Sequence, residues 1–503
     1  MTHKHLITTL VSIGILLSGC VFQPNPQIPQ TYNPFSPPSA PEGASGSISA
    51  TPLPVRPNYK PGELVDYIAQ SGDTLPALAA HFNTSVPEIM AANPIIPNGA
   101  TTMPPGLPMK IPIYYKALWA RPFKIVPDAV FVNGPAQVGF STSAFVDSKS
   151  GWLKNYVTYA GGQYRTGAEV VDYVATNYSI SPRLLLAILE YSAGALTQPT
   201  MPNKKYILDY AQPYYAEAPN LAYLQLVWAA DTLNNGYYGW RAGIMNEFDE
   251  PDGTLIRPDP WQNAASVAIQ YYFSRTNSGS RYDADVGPDG FAKTYKALFG
   301  DPWMKDTKLI PGSLEQPALL FPFPAGQVWT FTGGPHTGWG SVGSQPFAAV
   351  DFAPPSEHHG CFTPDPQNYA IAVADGLVIR SGPDGVVLDL DGDGDERTGW
   401  VIYYLHLSNT TRVPLGKELH AGDLIGYPSC QGGELVTGTH VHIARKYNGE
   451  WIQAGGPLAF NFDGWVVNDG SAAYEGSLIR NGVTVKACVC SDYRSEIRSD
   501  FAP

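Results

Sequence analysis

The sequence has little charge, and what it has is lopsided. Lys, Arg, Asp and Glu make up 15% of its 503 residues and leave a formal net charge of −13. Nucleic-acid binding calls for a basic face, so that class of partner is set aside. Beyond residue 20 no run approaches the roughly 18 apolar residues of a membrane span, which excludes a second membrane anchor further along the chain. Cysteine is scarce, five in all, whereas Gly, Pro and Tyr number 50, 47 and 29. That balance suits loop-rich domains of an exported protein better than a cytosolic one, and the length suits about two to four such domains.

The N-terminus says how the chain is exported. His3, Lys4 and His5 open onto an apolar run from Leu6 to Leu17. The run is too short to span a bilayer and ends in small residues, the pattern of a cleavable signal. Leu17-Ser18-Gly19-Cys20 resembles the bacterial lipobox. The resemblance implies a lipoprotein signal over 1–20, lipid on Cys20, and a protein held at the cell envelope on the outer face of a membrane. Residues 21–60 are rich in Pro, Ser, Asn and Gln and nearly uncharged, and read as a flexible tether.

Residues 61–115 read as one small βααβ module. Val65-Asp66-Tyr67-Ile68 is strand-like; Ser71-Gly72-Asp73-Thr74 offers helix caps; Ser85 and Pro87 open a second helix; Met109 to Tyr114 closes with a strand. Ser71-Gly72-Asp73-Thr74-Leu75, Ser85-Val86-Pro87-Glu88-Ile89, Ala92-Asn93-Pro94 and Leu107-Pro108-Met109-Lys110-Ile111-Pro112 closely resemble the LysM module, departing from it at Pro76. The resemblance implies binding to N-acetylglucosamine-containing glycans such as peptidoglycan or chitin.

A connector is expected over 116–150, and a helical domain over 151–310. Ser181-Pro182 is a strong helix start, followed by Leu184, Leu185, Ile188 and Leu189 at helical spacing. Further helices are expected over Leu221–Leu233, Trp261–Phe273 and Phe291–Leu298. Glu190 closes the apolar helix, where desolvation would raise its pKa and suit it to general-acid work. Residues 181–192 resemble the catalytic-Glu helix of lysozyme-like transglycosylases, with Tyr191 standing where Ser usually follows the Glu. The resemblance implies a lysozyme-like fold and makes Glu190 a second candidate catalytic residue.

From 311 to 475 the text is strand and turn, with no convincing helix, and reads as an all-β domain; 476–503 reads as a tail. The whole is thus a multidomain α+β chain. In Thr439-His440-Val441-His442 two imidazoles fall on one face of a strand, because side chains at i and i+2 point the same way. Gly333-Gly334-Pro335-His336, Ala349-Val350-Asp351-Phe352 and Tyr404-Leu405-His406-Leu407 precede that pair in order. The series closely resembles the lysostaphin-like zinc endopeptidases, in particular the β-lytic branch, where a loop lengthens the gap between the first His and the Asp. The resemblance implies that His336, Asp351 and His442 bind zinc, that His406 and His440 handle the proton and the oxyanion, and that the substrate is the peptide of peptidoglycan. His358, His359 and His420 are read as ordinary core or surface residues, and His81 as part of the LysM-like helix.

Two features flank this site. Asp389, Asp391, Asp393 and Asp395 alternate with Gly at the sixth position, like the first half of an EF-hand calcium loop, but the twelfth position is Trp400 rather than Glu. Ca²⁺ and a plain acidic turn both stay open. With Cys20 lipidated, four cysteines allow three pairings. Cys361–Cys430 is expected because both flank the site, and Cys488–Cys490 because both lie in the tail; four ligands of a structural metal fit the spacing poorly. Two other functions stay in view: a non-catalytic wall-binding or amidase-activating lipoprotein, and a muramidase acting through Glu190.

Overall fold

The structure, a computed structural model, describes residues 56–114, 120–212, 218, 221–358, 360–433, 436–490 and 493–500. The signal, Cys20, most of the tether and His359 lie outside the described residues. Among the described residues no helix is long and apolar enough to cross a membrane.

The first module forms as its caps dictate. β1 (Glu63–Ile68) pairs antiparallel with β2 (Pro108–Ile113), and α1 (Leu75–His81) and α2 (Val86–Ala92) lie between them. Thr74 accepts a hydrogen bond from the Ala77 amide; Ser85 and Glu88 cap reciprocally, each satisfying an amide that the first helical turn leaves unpaired. Val65, Tyr67, Leu78, Phe82, Ile89 and Ile111 close the core. The module is not a bead on a string. The His81 ring stacks on Trp240, centroids 3.5 Å apart, and burial pushes its pKa down to about 3. Trp261 Nε1 donates to the Asp66 carbonyl, and Arg56 pairs with Asp259 at 2.6 Å.

A helical layer follows. It comprises α3 (Thr142–Asp147), a hairpin of β3 (Val157–Ala160) and β4 (Gln163–Thr166), α4 (Gly167–Tyr178), α5 (Pro182–Ala193) and α6 (Leu221–Arg241). A two-residue hairpin, β5 (Phe248–Asp249) and β6 (Leu255–Ile256), then leads to α7 (Ala264–Phe273), α8 (Gly279–Asp285) and α9 (Phe291–Phe299). Ser181 caps α5 through the Leu184 amide, and Gly194 stops it at a left-handed φ of 58° that a Cβ would penalise. α6 outruns its expected end at Leu233 because Tyr237, Tyr238 and Trp240 stay buried. The connector assignment for 116–150 is corrected. Ile125, Val126, Phe131 and Val146 belong to the same core as α4 to α7, so from Ile125 onward this segment is part of the helical layer.

The C-terminal strands are β7 (Val328–His336), β8 (Ala349–Ala353), β9 (Ala370–Ile371), β10 (Gly376–Gly382), β11 (Gly385–Asp389), β12 (Trp400–Leu405), β13 (Glu418–Leu419) and β14 (Leu424–Gly426). After them come β15 (Val441–Tyr447), β16 (Glu450–Trp451), β17 (Asn461–Phe462), β18 (Trp465–Asp469), β19 (Gly476–Arg480), β20 (Val483–Lys486) and β21 (Glu496–Arg498). The main sheet runs β13-β10-β11-β12-β15-β8-β7-β21, with β16 beside β15; β17 to β20 form a four-stranded meander. The tail assignment for 476–503 is therefore also corrected: β19 and β20 complete the meander, β21 pairs with β7, and Leu478, Val485 and Ile497 are buried.

β15 is covered on both faces, and this sets the site. Val441 and Ile443 join an aromatic core with Phe321, Phe331, Phe352 and Phe462. On the alternate face Ala444, with Val401, Tyr403 and Leu405 of β12, packs into the core of the helical layer. His442 and, on the neighbouring strand, Asp351 share that second face by the period of two. The helical layer thus lies against the sheet face that carries the candidate ligands.

One buried cation ties the three parts together. Arg241, the last residue of α6, pairs with Asp128 at 3.1 Å and with Glu450 of β16 at 3.0 Å, and also donates to the Ser71 carbonyl of the first module.

Candidate metal centre

Three side chains from three adjacent strands converge. His336 ends β7, Asp351 is central in β8 and His442 is the second residue of β15. His336 Nε2 lies 3.1 Å from His442 Nδ1, and each of these atoms lies 3.3 Å from Asp351 Oδ1. All three residues are at most 6% exposed.

The backbone fixes which ring nitrogens carry protons. His336 Nδ1 donates to the Gly334 carbonyl at 2.8 Å, leaving Nε2 a bare lone pair. His442 Nε2 donates to the Gly338 carbonyl at 3.1 Å, leaving Nδ1 bare. Asp351 Oδ1 is buried and receives no hydrogen bond. Three proton-free acceptors therefore face one another in a space of about 3 Å, which is repulsive unless a cation sits among them. Bonds of about 2.0–2.1 Å at a tetrahedral angle put ligand atoms roughly 3.3–3.4 Å apart, so the triangle fits a tetrahedral ion closely. Burial lowers the pKa of His442, which keeps the ring neutral, the form that ligates.

Two more imidazoles border the triangle. His440 Nδ1 donates to the Gly438 carbonyl at 2.8 Å, and its Nε2 is 3.7 Å from Asp351 Oδ1. His406 Nδ1 donates to the Gly432 carbonyl at 3.1 Å, and its ring centroid is 4.6 Å from that of His440. In both, Nε2 is left free to accept a proton. His406 adopts φ +61°, a region costly for a residue with a Cβ; the Ser429 amide and hydroxyl, both donating to the His406 carbonyl, hold it there. Burial and the neighbouring imidazoles His440 and His442 push its pKa well below the ordinary value, so it is neutral at pH 7. The structure joins Cys361 to Cys430 and Cys488 to Cys490. The first bridge staples the segment around Gly360, whose carbonyl accepts from the Thr439 amide, to the loop that supplies Gly432.

The sequence offered no direct sign of the four carbonyls at Gly334, Gly338, Gly432 and Gly438, yet they orient all four rings. A partial signal was present: Gly334 and Gly338 flank His336 and Gly438 precedes His440, where a missing side chain lets backbone approach a ring, whereas Gly432 lies 26 positions from His406. Tyr474, in the loop after β18, was also missed; its ring stacks on His336 at 4.2 Å.

The remaining candidates fare differently. Asp389, Asp391 and Asp393 gather in the β11–β12 turn, but Asp395 is drawn off by Arg397 at 2.6 Å, so the four-carboxylate set is not formed. Asp389 accepts from the Gly394 and Asp391 amides, as in an ordinary acidic turn, and the arrangement assigns no Ca²⁺. Glu190 is spent on structure. Its carboxylate accepts from the Leu196 amide at 2.7 Å and the Thr197 hydroxyl at 2.6 Å, tying the end of α5 to the following turn. Glu190→Gln is accordingly expected to leave hydrolytic activity within about twofold of wild type and to lower stability by about 1 kcal/mol, measured by activity assay and thermal unfolding.

An antiparallel sheet carrying a His–Asp–His triangle, with two further imidazoles beside it, is an arrangement suited to a metal-dependent hydrolase site. Comparison with known proteins finds matches over parts of the chain. Residues 124–312 match the family described as LasA, N-terminal domain, and residues 67–112 match the LysM domain. The chain is 22% identical over 356 residues to Protease LasA of Pseudomonas aeruginosa, an alignment spanning 65% of this chain and 77% of that protein. Among solved structures it is similar to the M23 metalloprotease pseudoalterin from the deep sea (23% identity, TM-score 0.29, 34% of this chain and 96% of that one). It is also similar to the catalytic domain of lysostaphin from Staphylococcus simulans (23% identity, TM-score 0.17, 25% and 85%).

Proposed function

We propose that the protein is a lipid-anchored zinc endopeptidase of the cell envelope that hydrolyses peptide bonds in peptidoglycan, directed there by its LysM module. The observation that carries this reading is the triangle of proton-free acceptors: His336 Nε2, Asp351 Oδ1 and His442 Nδ1 at mutual distances of 3.1–3.3 Å. Those three residues would hold zinc, which supplies a Lewis acid and brings water towards neutral pKa. His440 Nε2 accepts the proton of the attacking water and returns it to the leaving amine. His406 Nε2 carries no proton in the neutral ring and accepts a hydrogen bond from the attacking water, steadying it for that transfer. His440, whose side chain is 15% exposed, marks the side from which a peptide reaches the triangle.

Cys20 would carry the anchor, and residues 21–60 would let the enzyme reach the wall. Glycan held by the 61–115 module raises the local concentration of attached peptide without any added contact at the active site. All five imidazole and carboxylate residues of the site are present and assembled, which weighs against a binding-only protein, and the engagement of Glu190 weighs against a muramidase. Incubation of residues 21–503 with peptidoglycan, followed by mass spectrometry, tests the reading. New free amino termini that vanish with a chelator and return with zinc are expected; cleaved glycan with intact peptides, or no cleavage, would contradict it.

A further inference from the structure

The imidazole of His442 can ligate through Nδ1 because its one ring proton sits on Nε2, which donates to the Gly338 carbonyl. Gly338 opens the loop between β7 and β8, the segment lengthened between the first His and the Asp. That loop is held from two sides: the sheet domain reaches it where the Ala454 amide donates to the Phe347 carbonyl at 2.8 Å, and α6 holds it from the other. Asp231 accepts from the Ser341 amide at 3.0 Å and the Ser341 hydroxyl at 2.6 Å. One turn on, Asn235 Oδ1 accepts from the Gln345 amide at 2.8 Å. A further turn on, the Tyr238 hydroxyl accepts from the Trp451 amide at 3.0 Å, and the Trp451 ring backs Gly338, where an added Cβ would stand 3.2 Å from it. Residues 231, 235 and 238 share one face of a helix.

We propose that Asp231, Asn235 and Tyr238 are positioning residues for the metal centre: this face of α6 holds the β7–β8 loop so that the Gly338 carbonyl selects the metal-binding tautomer of His442. The helical layer is then a working part of the site and not only its neighbour. Four observations bear on this. The hydrogen bonds from α6 bracket the loop at Ser341 and Gln345. Within the loop, Gly338 N donates to the Pro346 carbonyl at 3.0 Å, and the Thr337 hydroxyl donates to carbonyls of Ser341 and Ser344, so the α6 anchors and Gly338 move as one unit. Gly340, at φ +124°, has room for no side chain, since a Cβ would lie 2.4 Å from Asp231 Oδ1. Finally, Asp231 is 8% exposed, and its carboxyl is pushed up to about 6 by burial. A carboxylate held there at neutral pH is a cost to folding, which its hydrogen bonds from Ser341 offset in part.

This inference rests on the zinc reading above, and the experiment separates the two. Zinc affinity is measured on metal-free residues 21–503 by competition with a chromophoric chelator, alongside thermal unfolding of the metal-free protein. Asp231→Ala/Asn235→Ala is expected to weaken zinc about tenfold, the lower end for loss of a partner that orients a ligating His. Asp231→Asn, which keeps one acceptor for Ser341, is expected to recover part of that loss. The metal-free unfolding midpoint of Asp231→Asn should be no lower than wild type, a split that a merely structural role would not give. Gly340→Ala, which displaces the loop while leaving α6 intact, should weaken zinc to a similar degree and serves if the double variant does not fold. His442→Ala is the control. Should it bind zinc like wild type, the zinc reading falls and this inference with it. Should His442→Ala lose zinc while the α6 and Gly340 variants stay within twofold of wild type, the inference alone is overturned.

Discussion

His442→Ala is expected to remove the metal and with it essentially all peptide hydrolysis, a fall in kcat/KM on the order of 10³-fold or more, or about 4 kcal/mol of transition-state stabilisation. The reason lies in the triangle. Without the His442 ring only His336 Nε2 and Asp351 Oδ1 remain, 3.3 Å apart, too few to hold a tetrahedral ion against water. His440→Ala is the informative comparison. It leaves all three ligand atoms in place, so zinc should stay near one equivalent while the rate falls by roughly 10²–10⁴-fold, the usual worth of a positioned acid–base group. Metal analysis of both variants beside their rates checks this; equal loss of zinc in the two would contradict the division of roles within the His-x-His pair.

The largest effect on stability is expected at Arg241. Its guanidinium is 9% exposed and serves two carboxylates, Asp128 and Glu450. Asp128 has other donors, the Asn263 side chain and the Ala265 amide, whereas Glu450 has little beyond Arg241 and Tyr237. Glu450 is therefore the group that yields to burial, its pKa pushed up to about 7 by desolvation and by the nearby charge of Asp128. Arg241→Met keeps the volume but removes the charge, and removal of one partner from a buried ion network costs about 3–5 kcal/mol. The same substitution removes the Arg241 bond to the Ser71 carbonyl of the first module. The pH dependence has a definite sign. A carboxyl raised in the folded state binds more protons there than in the unfolded chain, so its contribution is greatest below about 4.5 and is lost as pH rises through about 7. The deficit of Arg241→Met should accordingly be largest at pH 8 and shrink towards pH 5, as read by denaturant unfolding. A deficit independent of pH would show that Glu450 is not the responsive group.

Much of this fold was legible in the residues, for identifiable reasons. The first module was readable because caps at Thr74 and Ser85 act locally and its strands are short and bounded. His440 and His442 were readable as a pair because strand periodicity is strict, even though β15 itself begins at Val441 between them. What stayed hidden depends on long-range contacts. Glu190 ends a helix, as expected, but nothing local says that the 194–197 turn folds back to consume its carboxylate. Asp395 alternates correctly with its neighbours, yet Arg397 two residues away competes for it. Residues 476–503 read as a tail because β19 to β21 are short and their partners, β18 and β7, lie in other parts of the sequence. The Arg241 network joins positions 71, 128, 241 and 450, a juxtaposition no local pattern encodes. The same holds for α6 and the β7–β8 loop, where Asp231 and Ser341 meet across 110 positions.

The most direct measurement is diffraction at the zinc absorption edge from crystals of residues 21–503 prepared with one equivalent of zinc. The account predicts a single strong anomalous peak about 2.0–2.1 Å from His336 Nε2, Asp351 Oδ1 and His442 Nδ1, with His406 and His440 not coordinated. A peak centred elsewhere, one ligated by His440 in place of His442, or none at all would contradict it.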